Sequence, residues 1–111
     1  MSILTKLRET RKQTLTQIAL IEEMRRGSVI RQFLKIRLKG RSKPAHVGPY
    51  ALLTLKKKGR TVSRRLRDPD EIRRLEQQVE NFHSFQRLCR QLVEIGEAIC
   101  EQREKEKEDK R

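Results

Sequence analysis

Aromatic residues are scarce: this chain of 111 residues has no tryptophan, one tyrosine and three phenylalanines. A row of aromatic platforms for stacked single-stranded bases cannot be built from so few. Apolar residues of all kinds make up only 34% of the chain. That is little for a compact core, since small domains already bury a smaller fraction of their surface. The expected body is elongated and helical and buries a stripe, with a second copy of the chain as one way to cover it.

Long hydrophobic runs are missing too. After Met1 come Ser2, Ile3, Leu4, Thr5 and Lys6, with no apolar segment of signal-peptide or membrane-spanning length. A cytoplasmic protein is the expectation, and there thiols stay reduced. Cysteine is limited to Cys89 and Cys100, eleven residues apart on one predicted helix, roughly 16 Å along its axis. They cannot bridge within a chain. A disulfide between chains and a pair of semi-buried thiols both remain open.

The third absence is of one charge sign. Residues 1–67 hold nineteen Lys/Arg against three Asp/Glu, whereas residues 68–111 hold nine against twelve. Between Arg25 and Arg67 fifteen cations occur and not one carboxylate. Charge that served only solubility would mix both signs. A block of one sign repels itself and is best tolerated where a partner relieves it.

Leu4, Leu7, Leu15, Ile18, Ile21 and Met24 fall near helical spacing. They predict a helix over 3–26 that stops at Gly27. The period then changes to two. In FLKIRLK, Leu34, Ile36 and Leu38 alternate with Lys35, Arg37 and Lys39, which predicts a strand with one apolar and one cationic face. A loop from Gly40 to Pro44 breaks it. Gly48-Pro49 opens a second strand from Tyr50 to Lys56, and a third covers Arg60–Leu66. Lys57-Lys58-Gly59 between them suits a short hairpin turn with Gly59 at positive φ. The result is a basic three-stranded antiparallel β-meander over 28–67. Leu53, Leu55, Val62, Arg64 and Leu66 do not simply share one face, because register depends on the turn. The apolar positions can still cover one side and leave Thr54, Lys56, Thr61, Ser63 and Arg65 on the other.

Asp68-Pro69-Asp70-Glu71 signals a helix start, with Asp68 as N-cap, Pro69 first in the helix and Glu71 at the reciprocal capping position. Ile72, Leu75, Val79, Phe82, Phe85, Leu88, Leu92, Ile95 and Ile99 follow as a heptad seam with one stammer. The helix is expected over 69–102, with 103–111 a frayed charged tail. The predicted fold class is α+β: a single domain with two long helices as an antiparallel hairpin and the meander between them in sequence. The second helix outlasts the first, so Leu88, Leu92, Ile95 and Ile99 are the expected oligomer interface of a homodimer.

Catalysis finds no support. His46 falls in the predicted basic loop and His83 on the long helix. No His or Cys has zinc-ligand spacing, the isolated glycines form no phosphate loop, and the basic block holds no acid to bind magnesium. Neither a metal nor a cofactor is expected. A basic sheet does suit double-stranded nucleic acid, since strands can enter the major groove of DNA. The candidates are Lys35, Arg37, Lys39, Arg41, Lys43, Lys56, Lys57, Lys58, Arg60, Arg64 and Arg65, with limited base readout from Arg37, Arg64 and Arg65. Tyr50 is a candidate for stacking on a base, and packing beside Pro49 is its competing role. Membrane binding is disfavoured, because interfacial binders pair their cations with an exposed apolar helix face. The rival function is a protein–protein adaptor that joins a larger enzyme through the Leu92–Ile99 stripe.

Four stretches together resemble a family of small bacterial and archaeal proteins catalogued as a domain of unknown function. They are Arg26-Gly27-Ser28-Val29, Gly48-Pro49-Tyr50, Gly59-Arg60-Thr61-Val62-Ser63-Arg64, and Val79-Glu80-Asn81-Phe82-His83 with Phe85. The resemblance covers residues 3–100. It implies a helix–meander–helix architecture and an association with mobile elements and their transposases, and it supplies no established activity.

Overall fold

The computed structural model describes residues 2–36 and 45–109, with side chains described for 2–32 and 51–109. Helix α1 (Ile3–Ala19) precedes strands β1 (Ser28–Ile36), β2 (Ala45–Lys57) and β3 (Arg60–Leu66), and helix α2 (Pro69–Asp109) follows them. The fold is α+β, with a three-stranded antiparallel sheet in the order β1-β2-β3. The chain divides into two compact units. One is formed by Glu23–Phe82, the other by the chain up to Glu22 together with residues from His83 onward. Among the described residues no helix is long and apolar enough to cross a membrane.

In the first of these units the sheet lies on the opening turns of α2. Ala51, Leu53 and Leu66 from the sheet form a buried cluster with Ile72 and Leu75, and Val29 and Leu55 pack against it. Val79 is buried as well. Burying a side chain of the size of Ile72 or Leu75 contributes about 1.5–3 kcal/mol. The register sets Ala51 opposite Leu66, Leu53 opposite Arg64 and Leu55 opposite Val62. Leu53, Leu55, Val62, Arg64 and Leu66 therefore do share one face, contrary to expectation. The reason is the turn. Lys58 and Gly59 form a two-residue loop with φ of +52° and +79°, the all-positive form that matches strand twist, and it fixes Lys57 opposite Arg60.

Strand β2 starts earlier than the sequence suggests, at Ala45 rather than Tyr50. Gly48-Pro49 does not open the strand but interrupts its pairing. Gln32 pairs with Tyr50 and Leu34 with Val47, so one residue of β1 faces two of β2. A central strand cannot accept proline without losing a ladder hydrogen bond, and a bulge removes that demand. His46, expected in a loop, lies on β2 opposite Lys35.

Asp68 caps α2 as predicted: its Oδ1 accepts from the Asp70 N–H at 3.1 Å, and its carbonyl accepts from the Ile72 N–H at 2.9 Å. Glu71, by contrast, turns its carboxylate to Arg64. In the second unit, Ser2 caps α1 by accepting from the Thr5 N–H at 3.1 Å. Leu4, Leu7, Leu15 and Ile18 are half-buried along α1, and Thr14 is buried with its hydroxyl donating to the Thr10 carbonyl.

Both helix ends differ from expectation. Helix α1 stops at Ala19 and not near Gly27. Beyond it the Arg25 N–H donates to the Gln78 carbonyl at 3.0 Å, and Asn81 Nδ2 donates to the Glu23 carbonyl at 2.9 Å. Those backbone groups are held by α2 in place of helix bonds. Helix α2 continues to Asp109, so residues 103–109 are helical and not a frayed tail. The stretch holds only Glu, Lys, Arg and Asp, mostly strong helix formers, with Glu101–Lys105 and Glu104–Lys107 at supporting spacings.

Candidate functional site

The sheet sorts its cations by face. Strand alternation puts Arg31 on the helix side of β1, opposite Ala51. There its guanidinium grips Glu76 with two hydrogen bonds, Nη2 to Oε1 at 2.7 Å and Nε to Oε2 at 3.0 Å. The pair shifts both groups. Hydrogen bonding to Arg31 and its charge hold the Glu76 carboxyl below the usual carboxylate range, against partial desolvation. Hydrogen bonding to Glu76 and its charge raise the Arg31 guanidinium. Arg64 lies on the same face and reaches Glu71 at 3.2 Å. Arg25 is anchored likewise, its Nε donating to Gln78 Oε1 at 3.0 Å. Arg73 pairs with Asp70 one turn along α2.

The other face has a different chemistry. Ser28, Thr54 and Ser63 form a row of hydroxyls across the three strands, and Thr54 and Ser63 share a hydrogen bond of 3.2 Å. Ile30, Leu52 and Arg65 form the next row on one side, and Lys56 and Thr61 the next on the other. Lys57, Lys58 and Arg60 continue the charge around the hairpin tip, and all are exposed. No salt bridge joins Lys56, Lys57, Lys58 or Arg60 to a carboxylate among the described residues. Lys58 is a costly choice in this turn, because a left-handed residue with a side chain loses about 1 kcal/mol, and Asn or Gly is the usual occupant. The turn accepts that strain and keeps a cation.

Of the sequence candidates, Lys56, Lys57, Lys58, Arg60 and Arg65 are brought together on the open face and the tip. Alternation puts Arg64 on the opposite face from Lys56 and Arg65, while Lys57 and Arg60, which share its face, lie at the hairpin tip. Lys35 and Tyr50 lie on β1 and β2 by their backbone, whereas Arg37, Lys39, Arg41 and Lys43 lie outside the described residues. Arg26 is the cation that sequence reasoning missed. Helical spacing places it at the end of α1, yet it precedes β1 and lines one concavity with Lys56 and Thr61. In the sequence it stands out only within the Arg26-Gly27-Ser28-Val29 stretch of the family resemblance, which gives it no role.

Leu88, Leu92, Ile95 and Ile99, expected to be exposed in a single chain, are half-buried in it. The more exposed apolar residues of this unit are Leu20, Val93 and Ile3. Cys89 is half-buried, Cys100 is exposed, and both are free thiols. Among the described residues no group of three or more His, Cys, Asp or Glu side chains could hold a metal ion. No protein-family model, curated protein or solved structure shows significant similarity to the chain.

Proposed function

We propose that the chain is a non-enzymatic nucleic-acid-binding protein that docks double-stranded DNA on the open face and hairpin tip of its β-meander. The observation that carries this is the division of the cations. Arg31 and Arg64 are neutralised by Glu76 and Glu71, whereas the cluster from Lys56 to Arg60 is exposed and has no salt bridge to a carboxylate among the described residues. Binding would proceed by phosphate neutralisation with counterion release. Base contacts would fall to Arg65 and the hydroxyl row, since Ser and Thr can face any base edge. Arg64 leaves the base-reading set, and Arg37 stays in it on sequence grounds.

The helical hairpin belongs to the same proposal. In it α1 would run antiparallel to the distal part of α2, with its half-buried stripe against Leu88, Leu92, Ile95 and Ile99. A homodimer, or a larger partner such as a transposase, would then use what stays exposed, beginning with Val93. The family resemblance supports a role as a transposon-associated accessory factor.

The deciding experiment is fluorescence anisotropy with a labelled random duplex across a salt series. Log affinity is expected to fall with log salt by about 0.9 per phosphate neutralised. Reversal of Lys56, Lys57 and Lys58 to Glu should abolish binding. Unchanged affinity in that variant would remove the hairpin from the interface, and absence of binding by the unaltered protein at low salt would favour the adaptor function.

A further inference from the structure

A concavity of about 350 Å³ opens where the chain enters the sheet, lined by Arg26, Gly27, Thr54, Leu55, Lys56 and Thr61. Among the described residues two cations and two hydroxyl side chains line it and no carboxylate does, with carbon, including the Leu55 side chain, making up most of its wall. Neither cation has a salt-bridge partner among the described residues. Arg26 is also held in place from both sides. The preceding residue, Arg25, is fixed to Gln78 through both backbone and side chain. The following residue, Gly27, has φ of +126°, and a Cβ there would approach the Thr54 carbonyl oxygen to 2.6 Å. Only glycine lets the chain lie this close to β2.

The geometry points to a phosphate-binding subsite in this concavity, whose occupant is one phosphodiester of a nucleic-acid backbone. This deepens the function proposed above and rests on it for the identity of the occupant. A planar guanidinium can take two phosphate oxygens at once, an ammonium serves the same group as a point charge, and hydroxyls donate to what remains.

Two arms test it on the full chain. In the first, inorganic pyrophosphate is titrated at low salt while backbone amide resonances are followed by NMR. Saturable shifts centred on Gly27, Thr54, Lys56 and Thr61 are expected, and they should be lost in Arg26→Gln. Shifts spread evenly over basic surfaces, or an equal response to poly-glutamate, would overturn the subsite. In the second arm, Arg26→Gln should flatten the duplex salt slope by about 0.9, one phosphate, whereas Arg11→Gln on α1 leaves it unchanged. If the unaltered protein binds duplex and Arg26→Gln keeps its slope, the backbone occupant is overturned; localised pyrophosphate shifts would then assign the subsite to free phosphate. If the protein binds no duplex, the proposed function fails, and the pyrophosphate arm still decides the subsite.

Discussion

On the side of the sheet that meets α2, Arg31 and Arg64 hold Glu76 and Glu71 beside a buried cluster of Ala51, Leu53, Leu66, Ile72 and Leu75. On the opposite side, Ser28, Thr54, Thr61, Ser63 and Lys56 face outward, and the lysine-rich turn follows. Both faces draw on the same basic segment. On the helix side the charge ties sheet to helix, and on the open side it meets solvent. Arg64 and Arg65 are neighbours in sequence on opposite faces of the sheet, because successive strand residues point to opposite faces. Counting cations along the chain therefore overstates what a partner meets.

The largest test of this contrast is apolar. Ile72→Ala should cost about 2–5 kcal/mol in urea unfolding, as for other deep truncations. Ile30→Ala on the open face, where Ile30 is 49% exposed, should stay within about 1 kcal/mol. Similar losses at both sites would mean that the open face is itself packed. Next comes the entry to the sheet. Gly27→Ala should cost about 1–3 kcal/mol, the range for a strained backbone position, and lower the thermal midpoint, with no change if the chain there can step away from β2.

Smaller effects sharpen the division of charge. Arg64→Gln should leave duplex affinity within about twofold at constant salt, far less than reversal of Lys56–Lys58, because its guanidinium serves Glu71; an anisotropy titration of both variants decides it. Lys58→Asn should raise stability by about 0.5–1 kcal/mol through relief of the left-handed residue while weakening duplex binding. A stability gain with undiminished binding would show that the cation at the turn has no partner.

The smallest effect depends on pH. The Glu76 carboxyl is held below its ordinary range by Arg31. A depressed carboxylate contributes stability above its unfolded value, about 4.3, and loses it as pH falls through the folded value. The gap in thermal midpoint between the unaltered protein and Glu76→Gln should be modest at pH 7, since both partners are substantially exposed. It should close as Glu76 protonates below that range. A gap that persists in acid would assign the stabilisation to packing.

Much of this was legible in the sequence. All nine positions of the α2 stripe, from Ile72 to Ile99, are buried or half-buried, because a helical period is a local property. The Asp68 cap and the Lys58-Gly59 turn were legible for the same reason. The end of α1 was not. Ile21–Arg26 contains no breaker, and the bonds that draw it from the helix come from Gln78 and Asn81, more than fifty residues away. The position of Arg26 depends on the same distant bonds.

By itself the sequence determined that three strands form between two helices, and that the cations gather in the segment holding those strands. Periodicity, capping and turn chemistry act over a few residues, so they can be read from one chain. Tertiary structure alone decided which cations meet a carboxylate. That depends on the register fixed by a two-residue turn and on which turn of α2 lies under each strand, and neither is a property of any one segment. It also decided that Arg26 stands beside Lys56, because the approach of Gly27 to Thr54 joins segments distant in sequence.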